Sequence, residues 1–174
     1  MIYFEKDNLC IRDLEPADIP QIVAGEIRQG WHATAEKYEM RLRHRTEYHA
    51  IALAAVLNGS AVGYINVYPN SPWGAFGGKG LPEIVDFGVL EECRNQGIGS
   101  ALMDTAEAIA GQYADTVYLG VGMHSGYGSA QRMYVRRGYI PDGTGVWYGE
   151  SVCEPYSTCA NDDSLILYLS KKLR

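Results

Sequence analysis

Val85-Asp86-Phe87-Gly88-Val89-Leu90-Glu91-Glu92-Cys93-Arg94-Asn95-Gln96-Gly97-Ile98-Gly99-Ser100-Ala101-Leu102-Met103 is the stretch that decides how this chain folds. It reads as an apolar strand, a short polar turn and a glycine-punctuated entry into a helix. Arg94-x-x-Gly97-x-Gly99 brings a cation and two positions without side chains to the helix start. Such a start leaves backbone N–H groups unpaired and carries a partial positive charge. Glycines there let a ligand approach the bare backbone, which suits an anion such as a pyrophosphate.

Three ligand readings compete. The dinucleotide fingerprint G-x-G-x-x-G would need its third glycine at Leu102, and its first directly after the strand. Seven residues instead separate Val89 from Gly97, and the next strand ends at Val121-Gly122 without an acid. A Walker loop is excluded because no Gly-Lys-Ser/Thr follows. The third reading is the coenzyme A pyrophosphate loop, Gln/Arg-x-x-Gly-x-Gly/Ala, of the GNAT-type N-acetyltransferases, which this segment resembles. Against all three stands a plain strand–turn–helix whose glycines serve only tight packing.

Outward from this stretch, residues 9–12 read as a first strand. Asp18-Ile19-Pro20-Gln21 looks like a capping box, with Asp18 as N-cap of a helix over residues 19–29. Thr34 caps a second helix running to about residue 47, with Arg41, Arg43 and Arg45 on a solvated outer face that has the cofactor's 3′-phosphate within its possible reach. Residues 50–57 and 61–68 form a hairpin about Asn58-Gly59. A glycine-rich loop (70–80) leads to the strand 83–90, and the helix 97–112 follows. Residues 116–121 are a buried strand, 128–137 a helix stopped by Gly138, and 145–149 and 165–170 the closing strands. Residues 150–163 form an irregular loop in which Cys153 and Cys159 are read as free thiols.

This order of elements resembles that of the acetyltransferase fold, which implies an α/β (α+β) single domain over residues 1–174. The expected sheet is mixed and twisted, of about seven strands, and the fourth and fifth of them (83–90 and 116–121) run parallel and splay apart. Ala130-Gln131-Arg132-Met133-Tyr134-Val135-Arg136-Arg137-Gly138-Tyr139 is a second anchor, similar to the family's Ala-x-x-x-Tyr-x-x-x-Gly-Phe/Tyr segment. Three positions depart from the pattern: Tyr127 replaces a frequent asparagine, Glu91 a frequent proline and Asn95 a frequent glycine.

The resemblance implies acetyl-CoA as co-substrate and no metal. Cofactor contacts then fall on Val89, Leu90, Arg94, Asn95, Gln96, Gly97, Ile98, Gly99, Ser100, Ala101, Ala130 and Tyr134. Acetyl transfer to an amine needs a neutral amine, a donor for the oxyanion and a proton for the departing thiolate. An alkyl amine of pKa near 10.4 is neutral only about 0.04% of the time at pH 7, a deficit of roughly 4–5 kcal/mol. Glu83 resembles the place where some members carry a base; a strand alternates faces, so Glu83, Val85, Phe87 and Val89 are expected to share one side, with Asp86 opposite. His124 or a water chain is the alternative base. The resemblance further implies a backbone N–H near Val89 or Leu90 for the oxyanion and makes Tyr134 the candidate acid. Trp31, His124 and Tyr127 are the expected substrate contacts. Each of these side chains also has a plain reading: Glu83 as a solvated strand end, Tyr134 as an amphipathic core residue, His124 as structural, and Trp31 as a cap on the core.

Composition sets the outer bounds. The 174 residues suit one domain, and 47% hydrophobic with 21% charged content is that of an ordinary globule. A formal charge of −6 argues against nucleic acid and suits a cationic substrate. The first residues lack a basic start and apolar core, and no apolar run is long enough for a bilayer, so a cytoplasmic protein without membrane contact is expected. The four cysteines form no C-x-x-C pair. The leading expectation is an N-acetyltransferase acting on a small-molecule amine as monomer or homodimer. Its alternatives are acetylation of a protein lysine or N-terminus, or a non-catalytic coenzyme A-binding module.

Overall fold

The sheet begins earlier than the sequence suggests. The computed structural model, which describes residues 1–174, opens with β1 (Ile2–Lys6) paired antiparallel to β2 (Leu9–Asp13). β1 is a mostly exposed edge strand, so little hydrophobic alternation marks it in the sequence. Next come α1 (Ile19–Arg28), α2 (Ala35–Glu47), β3 (Ile51–Leu57) and β4 (Ser60–Tyr68). Asn58 and Gly59 take φ of 51° and 82° and close the β3–β4 hairpin as that dipeptide should. β5 (Glu83–Val89), α3 (Ile98–Ala110), β6 (Thr116–Gly122) and α4 (Gly128–Arg136) follow. β7 (Ile140–Tyr148), β8 (Ser151–Val152) and β9 (Leu165–Lys172) complete a nine-stranded sheet of order β1-β2-β3-β4-β5-β6-β9-β7-β8. The sheet therefore has nine strands rather than about seven.

Asp18 does not cap α1. It ends a short 3-10 turn over Pro16–Asp18, where its buried carboxylate accepts the Glu15 N–H (2.8 Å) and two bonds from the Arg12 guanidinium (2.7 and 2.8 Å). A charge-assisted fork outcompetes a single capping bond. Gln21 instead accepts the Ala61 N–H at 2.9 Å, tying α1 to β4.

Each sheet face is covered by helices. Leu53, Ile65, Ile84, Leu102, Met103 and Leu119 belong to the main core, which joins the sheet to α3 and also takes in Tyr134 of α4. On the opposite face Leu14, Ile22, Tyr38 and Tyr64 form a smaller core under α1 and α2.

β5 and β6 are the one parallel pair and are paired in register only at Glu83↔Tyr118 and Ile84↔Leu119. Beyond those residues they splay, as the sequence leads one to expect. A second irregularity was not legible. β4 pairs Asn66 with Val85 and Tyr64 with Gly88, so Asp86 and Phe87 together oppose Ile65, and Asp86 takes φ 57°. This β-bulge breaks the two-residue alternation. Ile84, Phe87 and Val89 pack on the main core, whereas Glu83 bonds Ser71 and Asp86 pairs with side chains of α2. The expected common face of Glu83, Phe87 and Val89 is thereby overturned, and Glu83 and Asp86 stand together.

Candidate active site

At the wide end of the splay the backbone is unusually bare. The N–H groups of Asn95, Gln96, Gly97, Ile98, Gly99 and Ser100 have no acceptor within the protein; the first bond of α3 runs from Ala101 N–H to the Gly97 carbonyl at 2.9 Å. Asn95 (φ 61°) and Gly97 (φ 81°) are left-handed, which curls these donors round one spot at the α3 N-terminus. Such a nest fits a pyrophosphate by donor number and by dipole. Arg94 bonds the Val89 carbonyl (3.2 Å) and Glu91 (3.5 Å), and its guanidinium lies 5.6 Å from the Trp31 ring centre. Trp31 therefore stands beside the loop that carries Arg94 and Gly97. A surface hollow bordered by Lys6, Asn58, Gln96 and Ser100 adjoins the loop. Leu90 N–H is spent on the Val62 carbonyl at 2.9 Å, so Leu90 has no donor to offer. Strand alternation turns Val89 N–H the other way, into the gap.

The narrow end holds Glu83. Tyr68 of β4 and Tyr118 of β6 sit in register on either side of it, and the Ser71 hydroxyl donates to its carboxylate at 2.5 Å. Trp73 N–H approaches Ser71 Oγ at 3.3 Å and the Tyr118 hydroxyl donates to the Trp73 carbonyl at 2.8 Å, so the glycine-rich loop seals this end. Burial pushes the Glu83 carboxyl up to about 7, against the pull of Ser71, Tyr118 and Arg41. Carboxylates poised near neutrality in this way are capable bases.

On the other wall, Tyr134 is 6% exposed and its hydroxyl makes no hydrogen bond within the protein, while Ala130 packs beside it on the core. Burial, with a contribution from Tyr127, raises the phenol above its usual range. Tyr127 precedes α4; its ring closes over Gly122, where a Cβ would collide with it, and its hydroxyl donates to Asp163 at 2.9 Å. His124 Nδ1 accepts the Gly126 N–H (3.1 Å), which leaves Nε2 as the donor to Asp163 (2.9 Å). With both ring nitrogens engaged, His124 pins the loop that carries Asp163 and has no free lone pair for an amine's proton.

Two expectations fail here. Residues two apart lie about 200° apart round a helix, so Arg41, Arg43 and Arg45 cannot share a face. Arg41 turns inward to Asp86 (3.3 Å) and the Tyr68 hydroxyl (2.6 Å), while Arg45 lies near Asp13 (3.6 Å). The stripe that faces the sheet is Lys37, Arg41 and His44, at the helical spacing that marks it in the sequence. Cys153 and Cys159 are not free thiols but are joined in a disulfide that closes a short turn of the exposed loop. No spacing rule for zinc or redox pairs covers a separation of six residues. No group of three or more His, Cys, Asp or Glu side chains is placed to hold a metal, and no helix is long and apolar enough to cross a membrane.

The profile of the family described as "Acetyltransferase (GNAT) family" matches residues 17–139. The chain is 34% identical over 119 residues to an N-alpha-acetyltransferase of Sulfurisphaera tokodaii, covering 64% of this chain and 69% of that protein. It is 29% identical over 157 residues to an N-alpha-acetyltransferase of Saccharolobus solfataricus, covering 80% and 92%. Arabidopsis thaliana Naa50, solved in complex with the bisubstrate analogue CoA-Ac-MVNAL, superposes with a TM-score of 0.64 over 95% of this chain and 99% of that one, at 17% identity.

Proposed function

The chain belongs to the GNAT acetyltransferase family, and from that premise we propose that this acetyl-CoA-dependent N-acetyltransferase acts on the α-amine of a protein or peptide N-terminus. The observation that carries the choice of acceptor is the relatives: both curated proteins matched over most of their length are N-alpha-acetyltransferases. That support moves the reading from a small-molecule amine to the polypeptide alternative. We read residues 1–174 as one catalytic unit working in the cytoplasm.

The division of labour follows from the two ends of the splay. Six unpaired N–H groups from Asn95 to Ser100 hold the pyrophosphate. The bound thioester supplies an activated acyl group. Val89 N–H, aimed into the gap, donates to the oxygen on which charge develops. Glu83 accepts the acceptor's proton through an intervening water; its raised pKa narrows the gap to an ammonium. Tyr134, whose hydroxyl has no other partner, donates to the departing thiolate. Trp31 steadies Arg94 at the phosphate loop, and Tyr127 with His124 shapes the wall nearest α4.

Thiol release from acetyl-CoA, measured over a panel of short peptides and small amines at equal concentration, tests this reading. Peptides with a free α-amine should be turned over at least tenfold faster than alkyl or aryl amines. A panel in which only small amines respond would return the acceptor to that class.

A further inference from the structure

Asp86 has no part in the proton transfers above, yet the fold goes out of its way to place it. It is a non-glycine residue at φ 57°, in a region that side chains rarely adopt and that clusters at functional sites. The buried Asn66 amide clamps the bulge by donating toward the carbonyls of Val85 (3.3 Å) and Asp86 (3.4 Å). The carboxylate consequently faces α2, just past the point where β5 leaves β6 and three residues beyond Glu83. Arg41 Nε lies 3.3 Å from it and Lys37 Nζ 3.5 Å.

The surroundings of Lys37 show what this corner does with an ammonium group. Its Nζ is 3.7 Å from Glu26 Oε1, donates to the Tyr64 hydroxyl at 3.1 Å, and lies 4.5 and 4.7 Å from the ring centres of Tyr38 and Tyr64. Two carboxylates, a hydroxyl and two aromatic faces make a full ammonium receptor. Glu26 is fixed and buried, held also by the hydroxyls of Tyr38 and Tyr64 at 2.7 Å each. Lys37 enters from solvent on a flexible stem, its side chain 34% exposed, so it can withdraw. With Lys37 in place the charges of Glu26 and Asp86 balance those of Lys37 and Arg41. Once Lys37 leaves, one negative charge is uncompensated, and an incoming ammonium restores the balance.

We propose that Asp86 holds the ammonium form of the acceptor amine at the α2 side of the splay, and that Lys37 occupies this place when no acceptor is bound. The proposal rests on the reading of the splay as an amine-acetylating site. Glu83, close by on the same face, then takes the proton from an amine already positioned.

Steady-state kinetics with a short peptide bearing a free α-amine separate this role from a merely structural ion pair. Asp86→Asn should raise KM for the peptide at least tenfold, with a much smaller change in kcat and none in the affinity for coenzyme A. Lys37→Met keeps the stem but removes the resident ammonium, so it should lower that KM severalfold. The opposite signs are diagnostic, because a structural pair would give two variants with the same defect. An unchanged KM in a folded Asp86→Asn protein, or a raised KM in Lys37→Met, would overturn the proposal. If the wild-type protein acetylates only small amines, the peptide reading fails, and the same two KM shifts measured with those amines still decide the role of Asp86.

Discussion

In the proposed mechanism Tyr134 and Glu83 are the acid and the base, and each role has a distinct signature. General acid help is typically worth roughly 10²–10⁴-fold, so Tyr134→Phe should lower kcat by about that factor. The ring keeps its packing and only an unbonded hydroxyl is lost, so calorimetric affinity for coenzyme A should not move. A kcat within about threefold of wild type would make Tyr134 a core residue. Glu83 must be ionised to accept a proton, so kcat/KM should fall as pH drops through about 7. Glu83→Gln should lose that limb and regain activity at high pH, where the amine deprotonates in bulk. The same shift sets a stability trend. The folded carboxyl keeps its proton up to about 7 while the unfolded one releases it near 4.5, so stability declines between those values and levels off above. The full effect is about 3 kcal/mol. Thermal melts from pH 4.5 to 8 should show a smaller decline in Glu83→Gln than in wild type; equal declines would contradict a raised Glu83 pKa. The resemblance to the family singles out both residues in the sequence, Tyr134 by a motif and Glu83 by its place at the start of a strand. It is silent on Ser71 and Tyr118, which flank Glu83 from a loop and a neighbouring strand and pull against the rise that burial gives its pKa.

Among the elements, the β5–α3 junction was the most legible, because an arginine and two glycines at a helix start allow few readings. The open backbone there predicts a clear substitution effect. Gly97 is left-handed at φ 81°, so Gly97→Val should strain the nest and weaken coenzyme A binding by at least tenfold, about 1.4 kcal/mol. Gly99→Val should act similarly, because a Cβ at that position would lie only 3.3 Å from the Phe87 ring. Calorimetry giving wild-type affinity in both folded variants would reject the phosphate nest. The β5 bulge was illegible, since Val85-Asp86-Phe87 reads as ordinary alternation and only pairing with β4 exposes the extra residue. The inward stripe of α2 could have been found, because Lys37, Arg41 and His44 follow helical spacing whereas three arginines two apart do not.

For the whole molecule, the sheet's middle could be read and its rims could not. β3 to β6 carry long apolar runs and an Asn-Gly turn, whereas β1 and β8 are edge strands that bury little. The Cys153–Cys159 link escaped for a related reason: an exposed loop leaves no packing pattern to interpret. What the sheet achieves as a whole is a gap between β5 and β6, with anion donors at its wide end and a buried carboxylate at its narrow end. The central claim is that an α-amine enters that gap and leaves acetylated. Incubation with acetyl-CoA and one peptide carrying both a free α-amine and an internal lysine, followed by tandem mass spectrometry, tests it most directly. The account predicts a single acetyl group on the N-terminal residue. Acetyl on the lysine side chain alone, or an unmodified peptide beside small amines that are acetylated, would contradict it.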